Sequence, residues 1–145
     1  MTEYKDTPPV LKMTDEEKAA FEELKSREPL FHQPKFGRKK EDFLRMTDER
    51  FFEVGASGRR YNREYVIDGV SKRYEDPEYN GVEGGNEKNW KIKEAFCRKL
   101  EGETFLFTYT LLQDESMSRR STVWQKSEEG WKIIYHQGTI VEQSM

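Results

Sequence analysis

The segments that decide the fold lie in the last third of the chain: TFLFTYTL at Thr104–Leu111, RRSTVW at Arg119–Trp124 and WKIIYHQGT at Trp131–Thr139. Apolar and polar residues alternate along these segments with a period of two, which is the pattern of β-strands that bury one face. An earlier segment, which begins at Trp90, alternates in the same way. Because only short turns separate the four segments, the sequence predicts an antiparallel meander of four strands.

Signals for helices precede these strands. Thr14 and Glu17 have the spacing of a capping box and predict a first helix that ends before Pro29. The other predicted elements are helices over 38–46 and 62–74, a strand over 51–55 and a long loop over 75–89. Helices followed by a meander indicate an α+β domain, with the helices packed on one face of the sheet.

The composition fits one compact domain. With 145 residues, of which 34% are hydrophobic, the chain has no room for a second core of useful size. Its 9 Phe, 7 Tyr and 3 Trp supply large apolar side chains for that single core. Residues 1–13 include Pro8 and Pro9 and predict a flexible N-terminal arm, which leaves 14–145 as the predicted domain.

Charge and cysteine content argue against several classes of protein. The formal net charge of -3 disfavours a nucleic-acid partner, because phosphate binding requires a basic face. No segment approaches the roughly 18 apolar residues of a membrane span. Cys97 is the single cysteine, so no intrachain disulfide can form, and His32 has no second ligand at metal-binding spacing. We therefore expect a cytoplasmic protein with no membrane contact, no metal and no cofactor.

One longer segment adds a family resemblance to this pattern. FFEVGASGRRYNREYVI at Phe51–Ile67, followed in order by the three strand segments quoted above, resembles the nuclear transport factor 2-like superfamily, and within it the SnoaL-like branch of small bacterial proteins of unknown function. The resemblance extends from about Glu17 to Val141. It implies a cone-shaped α+β fold in which three N-terminal helices pack on a curved antiparallel sheet around a pocket. It also implies a sheet that commonly forms a homodimer.

The same cone serves enzymes, carriers and assembly domains, so the resemblance implies no single function. Ketosteroid isomerases, scytalone dehydratase and polyketide cyclases with this fold place an Asp or His base deep in the cone. None of their catalytic sets aligns residue by residue with this chain.

Two residues are candidate catalytic groups. Regular alternation places Glu94 on the same face as Trp90, Ile92 and Phe96, where apolar surroundings would disfavour its charged form, as a proton-transfer group requires. The alternative is an edge position, or a partner for a strand arginine. His136 lies in the last predicted strand, and an imidazole in a pocket can act as a base near neutral pH. It could equally be a hydrogen-bonded histidine of the sheet or of a dimer face.

Five further residues are candidate ligand-binding groups: Tyr61, Tyr109, Arg120, Trp124 and Gln137. Arg120 could fix a carboxylate or enolate oxygen with its planar guanidinium, or form a buried ion pair with an acid such as Glu53. The two tyrosines could donate to a ligand carbonyl or belong to the core, and Trp124 suits either the core or a pocket wall. Gln137 could present its amide at the pocket mouth or simply end a strand.

These candidates predict a protein that binds a small organic ligand inside the cone. Proton transfer or dehydration next to a carbonyl is the corresponding enzyme activity, as in an isomerase, dehydratase or cyclase. The alternative is a non-catalytic dimerisation or interaction module whose cavity is filled by aromatic side chains.

Overall fold

The computed structural model describes residues 5–29, 31, 33–77 and 90–142 as three helices and six strands with one short 3-10 turn. The helices are α1 (Asp15–Lys25), α2 (Lys40–Arg45) and α3 (Arg63–Glu75), and the turn is Pro34–Phe36. The strands are β1 (Thr47–Val54), β2 (Arg60–Asn62), β3 (Trp90–Glu101), β4 (Thr104–Gln113), β5 (Ser116–Ser127) and β6 (Gly130–Ile140).

Local hydrogen bonds explain where the helices begin. The Thr14 hydroxyl accepts from the Glu17 backbone N–H at 3.1 Å, and the Glu17 carboxylate accepts from the Thr14 N–H at 2.9 Å, so the predicted capping box is confirmed. Asn62 caps α3 in a similar way, because its side-chain oxygen accepts from the Tyr65 N–H at 2.9 Å. Helix α2 is shorter than predicted and spans six residues.

All six strands form one sheet in the order β2-β1-β6-β5-β4-β3. Strands β3 to β6 pair antiparallel with their neighbours in sequence, which confirms the predicted meander. Strand β1 adds to it by pairing parallel with β6, and β2 pairs antiparallel with β1. The sequence analysis predicted neither the parallel pairing nor the three-residue strand β2.

The helices pack on one side of this sheet, which we call the inner face. Alternate residues of β4 point towards them, with Phe105, Phe107, Tyr109 and Leu111 all buried. Leu24 of α1 and Ile67 of α3 complete the same core from the helical side. The opposite side of the sheet, the outer face, carries residues such as Leu106, Thr108, Thr110 and Leu112. The fold is thus the predicted α+β arrangement.

A β-bulge in β6 reverses its alternation. Trp124 of β5 pairs with Ile133, whereas the neighbouring Val123 pairs with Tyr135, so Ile134 is an extra residue in the ladder. One extra residue exchanges the faces of everything that follows it. His136 therefore lies on the inner face with Trp131 and Ile133, whereas a strand of regular alternation would place it on the opposite side.

A second bulge interrupts β3. Lys93 pairs with Thr110 and Phe96 pairs with Thr108, so two residues of β3 oppose one residue of β4. Glu94 sits in this bulge with a φ of 55°, in the left-handed region of the backbone. Its side chain leaves the face of Trp90 and Ile92 for the outer face.

The predicted loop over 75–89, His32 and the predicted N-terminal arm lie wholly or partly outside the residues that the structure describes. Most of the predicted loop over 75–89, and also His32, lie outside the described residues. In the arm that precedes α1, residues 5–13 have no helix or strand, and Asp6 forms an ion pair with Arg119 at 3.1 Å. None of the helices in the described ranges is long and apolar enough to cross a membrane.

Candidate functional site

A cavity of about 270 Å³ lies between the inner face, helix α3 and the segment that follows α1. We call it the central cavity. Its apolar walls are Phe31, Val66, Val70 and Ile133, and its polar or aromatic lining includes Glu28, Glu53, Tyr61, Tyr65, Arg73, Arg120 and His136. The combination of apolar walls with a few convergent polar groups is typical of small-molecule sites.

Glu28 is the most deeply buried acid of the cavity lining, with 6% of its surface exposed. One carboxylate oxygen accepts a hydrogen bond from the Tyr109 hydroxyl at 2.8 Å, and the other accepts from the indole N–H of Trp124 at 3.0 Å. Burial raises the pKa of the Glu28 carboxyl, while hydrogen bonds from Thr122, Tyr109 and Trp124 act in the opposite direction. The inner face therefore holds an acid whose charge depends on its hydrogen-bond donors.

His136 reaches the cavity because of the bulge in β6. Its Nδ1 atom lies 2.8 Å from the hydroxyl oxygen of Thr122, the residue paired with it across β5 and β6. Thr122 is fully buried, and its hydroxyl is one of the groups that oppose the rise in the pKa of Glu28. Thr122 therefore joins the imidazole to the buried side of the inner face, near the Glu28 carboxylate.

Arg120 and Glu53 add opposite charges to the same wall. Arg120 lies one alternate position before Thr122 on β5, and its Nε donates to the Ser118 hydroxyl at 3.1 Å. Glu53 of β1 is the register partner of His136 on β6. Burial raises the pKa of Glu53, while the charges of Arg120 and Arg73 oppose that rise. The cavity therefore combines two arginines, Arg73 and Arg120, with two acids that lose protons less readily than usual.

The strand register places Arg120, Thr122 and Trp124 on one face, because they pair with the inner residues Tyr109, Phe107 and Phe105. Trp124 is completely buried and Tyr109 is 3% exposed, so both support the cavity from behind through Glu28.

Tyr61 lies nearer the solvent than these residues. Its ring stacks on that of Tyr65 with 5.1 Å between centroids, and both rings line the cavity. The pair therefore forms part of the cavity wall where β2 meets α3.

Two predicted site residues do not reach the cavity. Glu94 is exposed on the outer face, where its carboxylate accepts from the Thr110 hydroxyl at 2.9 Å and from Arg119 at 3.0 Å. These hydrogen bonds lower the pKa of Glu94, so the expectation of an apolar environment that disfavours its charge is wrong. The cause is the bulge at this residue, which turns the side chain away from Trp90 and Ile92.

Gln137 is the other displaced candidate. It follows the bulge in β6, lies exposed on the outer face and accepts a hydrogen bond from the Tyr135 hydroxyl. Gln137 therefore does not reach the predicted pocket mouth, because the bulge turns it to the side of the sheet away from the cavity.

Glu28 and Thr122 were not among the site residues predicted from the sequence. Glu28 follows the last turn of α1 and precedes a proline, so its position resembles that of an ordinary helix-ending charge. Only the packing of that segment against β4 and β5 brings it to Tyr109 and Trp124, at sequence separations of 81 and 96 residues. Thr122 could have been found from the alternation of its strand, because it lies midway between the candidates Arg120 and Trp124.

Within the described ranges, no three His, Cys, Asp or Glu side chains come together in a way that could hold a metal ion. The polar groups of the central cavity can act directly on an organic molecule: an arginine can bind an oxygen, an imidazole can take up a proton, and the acids can donate or accept one.

Comparison with known proteins identifies the fold. No protein-family model and no curated protein matches this sequence. Solved structures do match, and they define a class of α+β domains in which helices close over a curved sheet. This is the nuclear transport factor 2-like fold, and structures bearing that name recur among the matches.

Three of these structures show the extent of the likeness. A protein of unknown function from Pectobacterium atrosepticum is 12% identical with a TM-score of 0.62, covering 90% of this chain and 94% of its own. A proposed dehydratase of the nuclear transport factor 2-like family from Streptomyces avermitilis is 14% identical with a TM-score of 0.61, covering 87% and 99%. A protein with a cystatin-like fold from Caulobacter vibrioides is 15% identical with a TM-score of 0.59, covering 88% and 91%. At these identities the likeness establishes the fold and leaves the function open.

Proposed function

We propose that this protein binds a small, partly apolar organic molecule in the central cavity and transfers a proton next to a carbonyl group of that molecule. The observation that carries the proposal is the placement of His136, Arg120 and Glu53 together on the wall of a cavity of about 270 Å³. The cavity lies just below the ~300–1,000 Å³ common for drug-sized ligands, which favours a compact metabolite.

His136 and Arg120 have complementary roles in this proposal. His136 removes a proton from the carbon next to the carbonyl, and the guanidinium of Arg120 stabilises the negative charge that develops on the carbonyl oxygen. The protonated imidazole then returns the proton to another carbon in an isomerisation, or to a departing hydroxyl in a dehydration. Glu53, beside His136 in the register, supports the positive charge of the imidazolium.

The apolar wall determines which molecules the cavity would accept. Val66 and Val70 of α3 face Ile133 of β6 across the cavity, so the ligand needs an apolar ring or short chain beside its carbonyl or carboxyl group. Among structures of this fold, the proposed dehydratase from Streptomyces avermitilis is consistent with chemistry of this kind. We also propose that the protein belongs to the SnoaL-like branch of the nuclear transport factor 2-like superfamily.

We also propose a cytoplasmic homodimer formed through the outer face. Phe52 and Tyr135 form an aromatic pair there, with 5.0 Å between ring centroids, and Phe52 remains 45% exposed. The buried single Cys97 suits a reducing compartment.

A thermal-shift screen of small carbonyl and carboxylate compounds tests ligand binding and catalysis together. We expect at least one compound to raise the Tm of the wild type and to be converted on prolonged incubation, as followed by mass spectrometry or NMR. His136→Gln should still bind this compound but lose conversion by at least about a hundredfold, in line with the usual contribution of a general base.

Glu94→Gln is the matched control, because it changes a carboxylate on the outer face. It should keep both binding and conversion. Failure of every compound to bind would contradict the ligand-binding proposal. A bound compound that the wild type never converts would favour a carrier.

Sedimentation tests the homodimer separately. The wild type should sediment as a dimer at micromolar concentration, and Phe52→Glu should shift it to the monomer, because a charge there would be desolvated at the interface. A monomeric wild type would favour neither the homodimer nor the interaction module.

A further inference from the structure

Two arginines line the central cavity, one from the sheet and one from helix α3. Arg120 is half-buried; its Nε donates to the Ser118 hydroxyl at 3.1 Å, and its guanidinium carbon lies 3.7 Å from where a Cβ atom on the neighbouring Gly138 would stand. Arg73 lies in the last turn of α3 and is exposed. Among the residues that the structure describes, neither guanidinium forms an ion pair, and the two terminal amino groups of Arg120 donate no hydrogen bond. Both guanidinium groups can therefore bind an oxygen of a ligand.

The acids beside these arginines limit the charge that a ligand can carry. Glu28 and Glu53 line the same cavity. Burial raises the pKa of both carboxyls, while the charge of Arg120 opposes the rise. An acid that protonates more readily than usual repels an anion less than an ionised surface acid does. Two arginines opposite two such acids suit a ligand with one negative charge better than one with the double charge of a phosphate group.

Helix α3 forms the rim of the cavity with three residues at intervals of four. Tyr65, Gly69 and Arg73 lie on one face of the helix, line the cavity and are exposed to solvent. The ring of Tyr65 stacks on that of Tyr61, with 5.1 Å between centroids. The rim is thus aromatic near the start of the helix and cationic near its end, with a glycine between the two.

Neither the backbone nor the packing explains the glycine in this rim. Glycine is less favourable than alanine inside a helix, and Gly69 lies in the middle of α3. Its φ is not in the left-handed region, and a Cβ atom there would meet no atom of the described residues within 4 Å. The glycine instead leaves a gap between Tyr65 and Arg73, where the cavity reaches solvent.

We propose that the central cavity takes a small oxo acid, which enters across Gly69, binds Arg120 with its carbonyl oxygen and binds Arg73 with its carboxylate. The inference rests on the proposed function, because the carbonyl is the group on which that function acts. It adds the charge of the ligand and makes Arg73 and Gly69 specificity-determining residues.

Calorimetric titration with matched compounds tests the charge of the ligand. The probes are levulinate and benzoylpropionate, each compared with its neutral amide, which has the same shape and the same ketone. At low ionic strength the acids should bind at least about tenfold more tightly than their amides, because only the acids offer a charged acceptor to Arg73. Added salt should reduce this difference.

Two variants of neighbouring cations test the residue that reads the charge. Arg73→Gln should lower the affinity for the acid to about that for its amide, a loss of about tenfold. Lys72→Gln is the matched control, because it removes the same charge from an exposed position of α3 that does not line the central cavity. It should retain the wild-type affinity.

A second pair of variants tests the gap in the rim. Gly69→Leu should weaken binding of the acid at least about tenfold by filling the entrance, yet keep or raise the Tm, because leucine is the better helix former. The unchanged Tm separates a blocked entrance from a loss of fold. Lys72→Leu places the same side chain on the helix outside the rim and should leave the affinity unchanged.

The outcomes separate this inference from the proposed function. Amides that bind as tightly as the acids, or an acid affinity that Arg73→Gln leaves unchanged, would overturn the inference while the proposed function stands. An acid that binds through Arg73 and is never converted would support the inference and count against proton transfer alone. If neutral ketones of the screen bind and neither acid does, the inference is wrong; if no compound of either kind binds, both proposals fall.

Discussion

Arg119 and Arg120 are neighbours on β5, yet they occupy different chemical environments. Arg119 lies on the outer face, where it pairs with Glu94 at 3.0 Å and with Asp6 at 3.1 Å in contact with solvent. Arg120 lies on the inner face, where it lines the central cavity near the buried Glu28 and the partly buried Glu53. The acids on the two faces differ in the same way. The pKa of Glu94 on the outer face is lowered, and the pKa of Glu28 on the inner face is raised. Burial on one face of the sheet, rather than residue type, therefore separates groups suited to chemistry from ordinary surface charges.

The largest difference between the two faces should appear in stability, when the acid on each face is replaced by alanine. Glu28→Ala leaves the Trp124 indole N–H and the Tyr109 hydroxyl buried without their acceptor, at roughly 1–3 kcal/mol each. We expect urea denaturation to show a loss of about 2–5 kcal/mol in the free energy of unfolding. Glu94→Ala removes only exposed contacts and should cause a much smaller loss. Equal losses would mean that Glu28 does not anchor the inner face.

The next largest effect concerns the two arginines and any compound found by the screen. Arg120→Gln should weaken binding about tenfold to a hundredfold, since a charged hydrogen bond contributes roughly 1.5–3 kcal/mol. Arg119→Gln should change the affinity by less than about twofold. Isothermal titration calorimetry gives both dissociation constants, and a larger effect at Arg119 would place the compound on the outer face.

The pH dependence of stability should have opposite signs for the two acids. A raised folded-state pKa means that stability due to Glu28, relative to Glu28→Gln, is fully present below its unfolded pKa of about 4.3 and is lost as the pH rises through the folded pKa. For Glu94 the pKa is lowered, so its contribution is present above about 4.3 and is lost as the pH falls.

Melting temperatures of the wild type and the two Gln variants between about pH 3 and pH 8 measure this difference. The advantage of the wild type over Glu28→Gln should shrink with rising pH, while its advantage over Glu94→Gln should grow. If both differences in melting temperature changed with pH in the same direction, the two faces would not differ in their electrostatics as we describe.

The smallest effect concerns thiol reactivity. Burial raises the pKa of Cys97 to about 12, and its side chain is completely buried in the core. Cys97 should therefore react with an aromatic disulfide reagent only as fast as the protein unfolds. Leu100→Cys, at a position that is 51% exposed, should add one thiol that reacts within the mixing time. Rapid reaction of both thiols would show that the core at Cys97 opens readily.

Local patterns predicted the framework of this fold well. The capping box at Thr14, the cap at Asn62 and the period-two strands depend on neighbours within a few residues, and each appears in the structure. The parallel pairing of β1 with β6 could not be predicted in the same way, because it joins segments about 85 residues apart and depends on the whole sheet.

The candidate site was predicted less well, and the bulges explain most of the errors. Regular alternation correctly places Arg120 and Trp124, which lie on a strand without a bulge before them. The same alternation fails at Glu94, His136 and Gln137, because one extra residue per bulge reverses the face. Glu28 was inaccessible to any periodic pattern, since tertiary packing alone brings it to the inner face.

The most direct test of a chemically distinct inner face is NMR observation of the two arginine side chains during titration with a compound from the screen. The Nε–H signals of Arg119 and Arg120 can be assigned from the corresponding Gln variants. We predict that the Arg120 signal and the ring signals of His136 shift during the titration and stop shifting once one compound is bound per chain. The Arg119 signal should stay in place. A shift of the Arg119 signal with Arg120 and His136 unchanged would contradict the account.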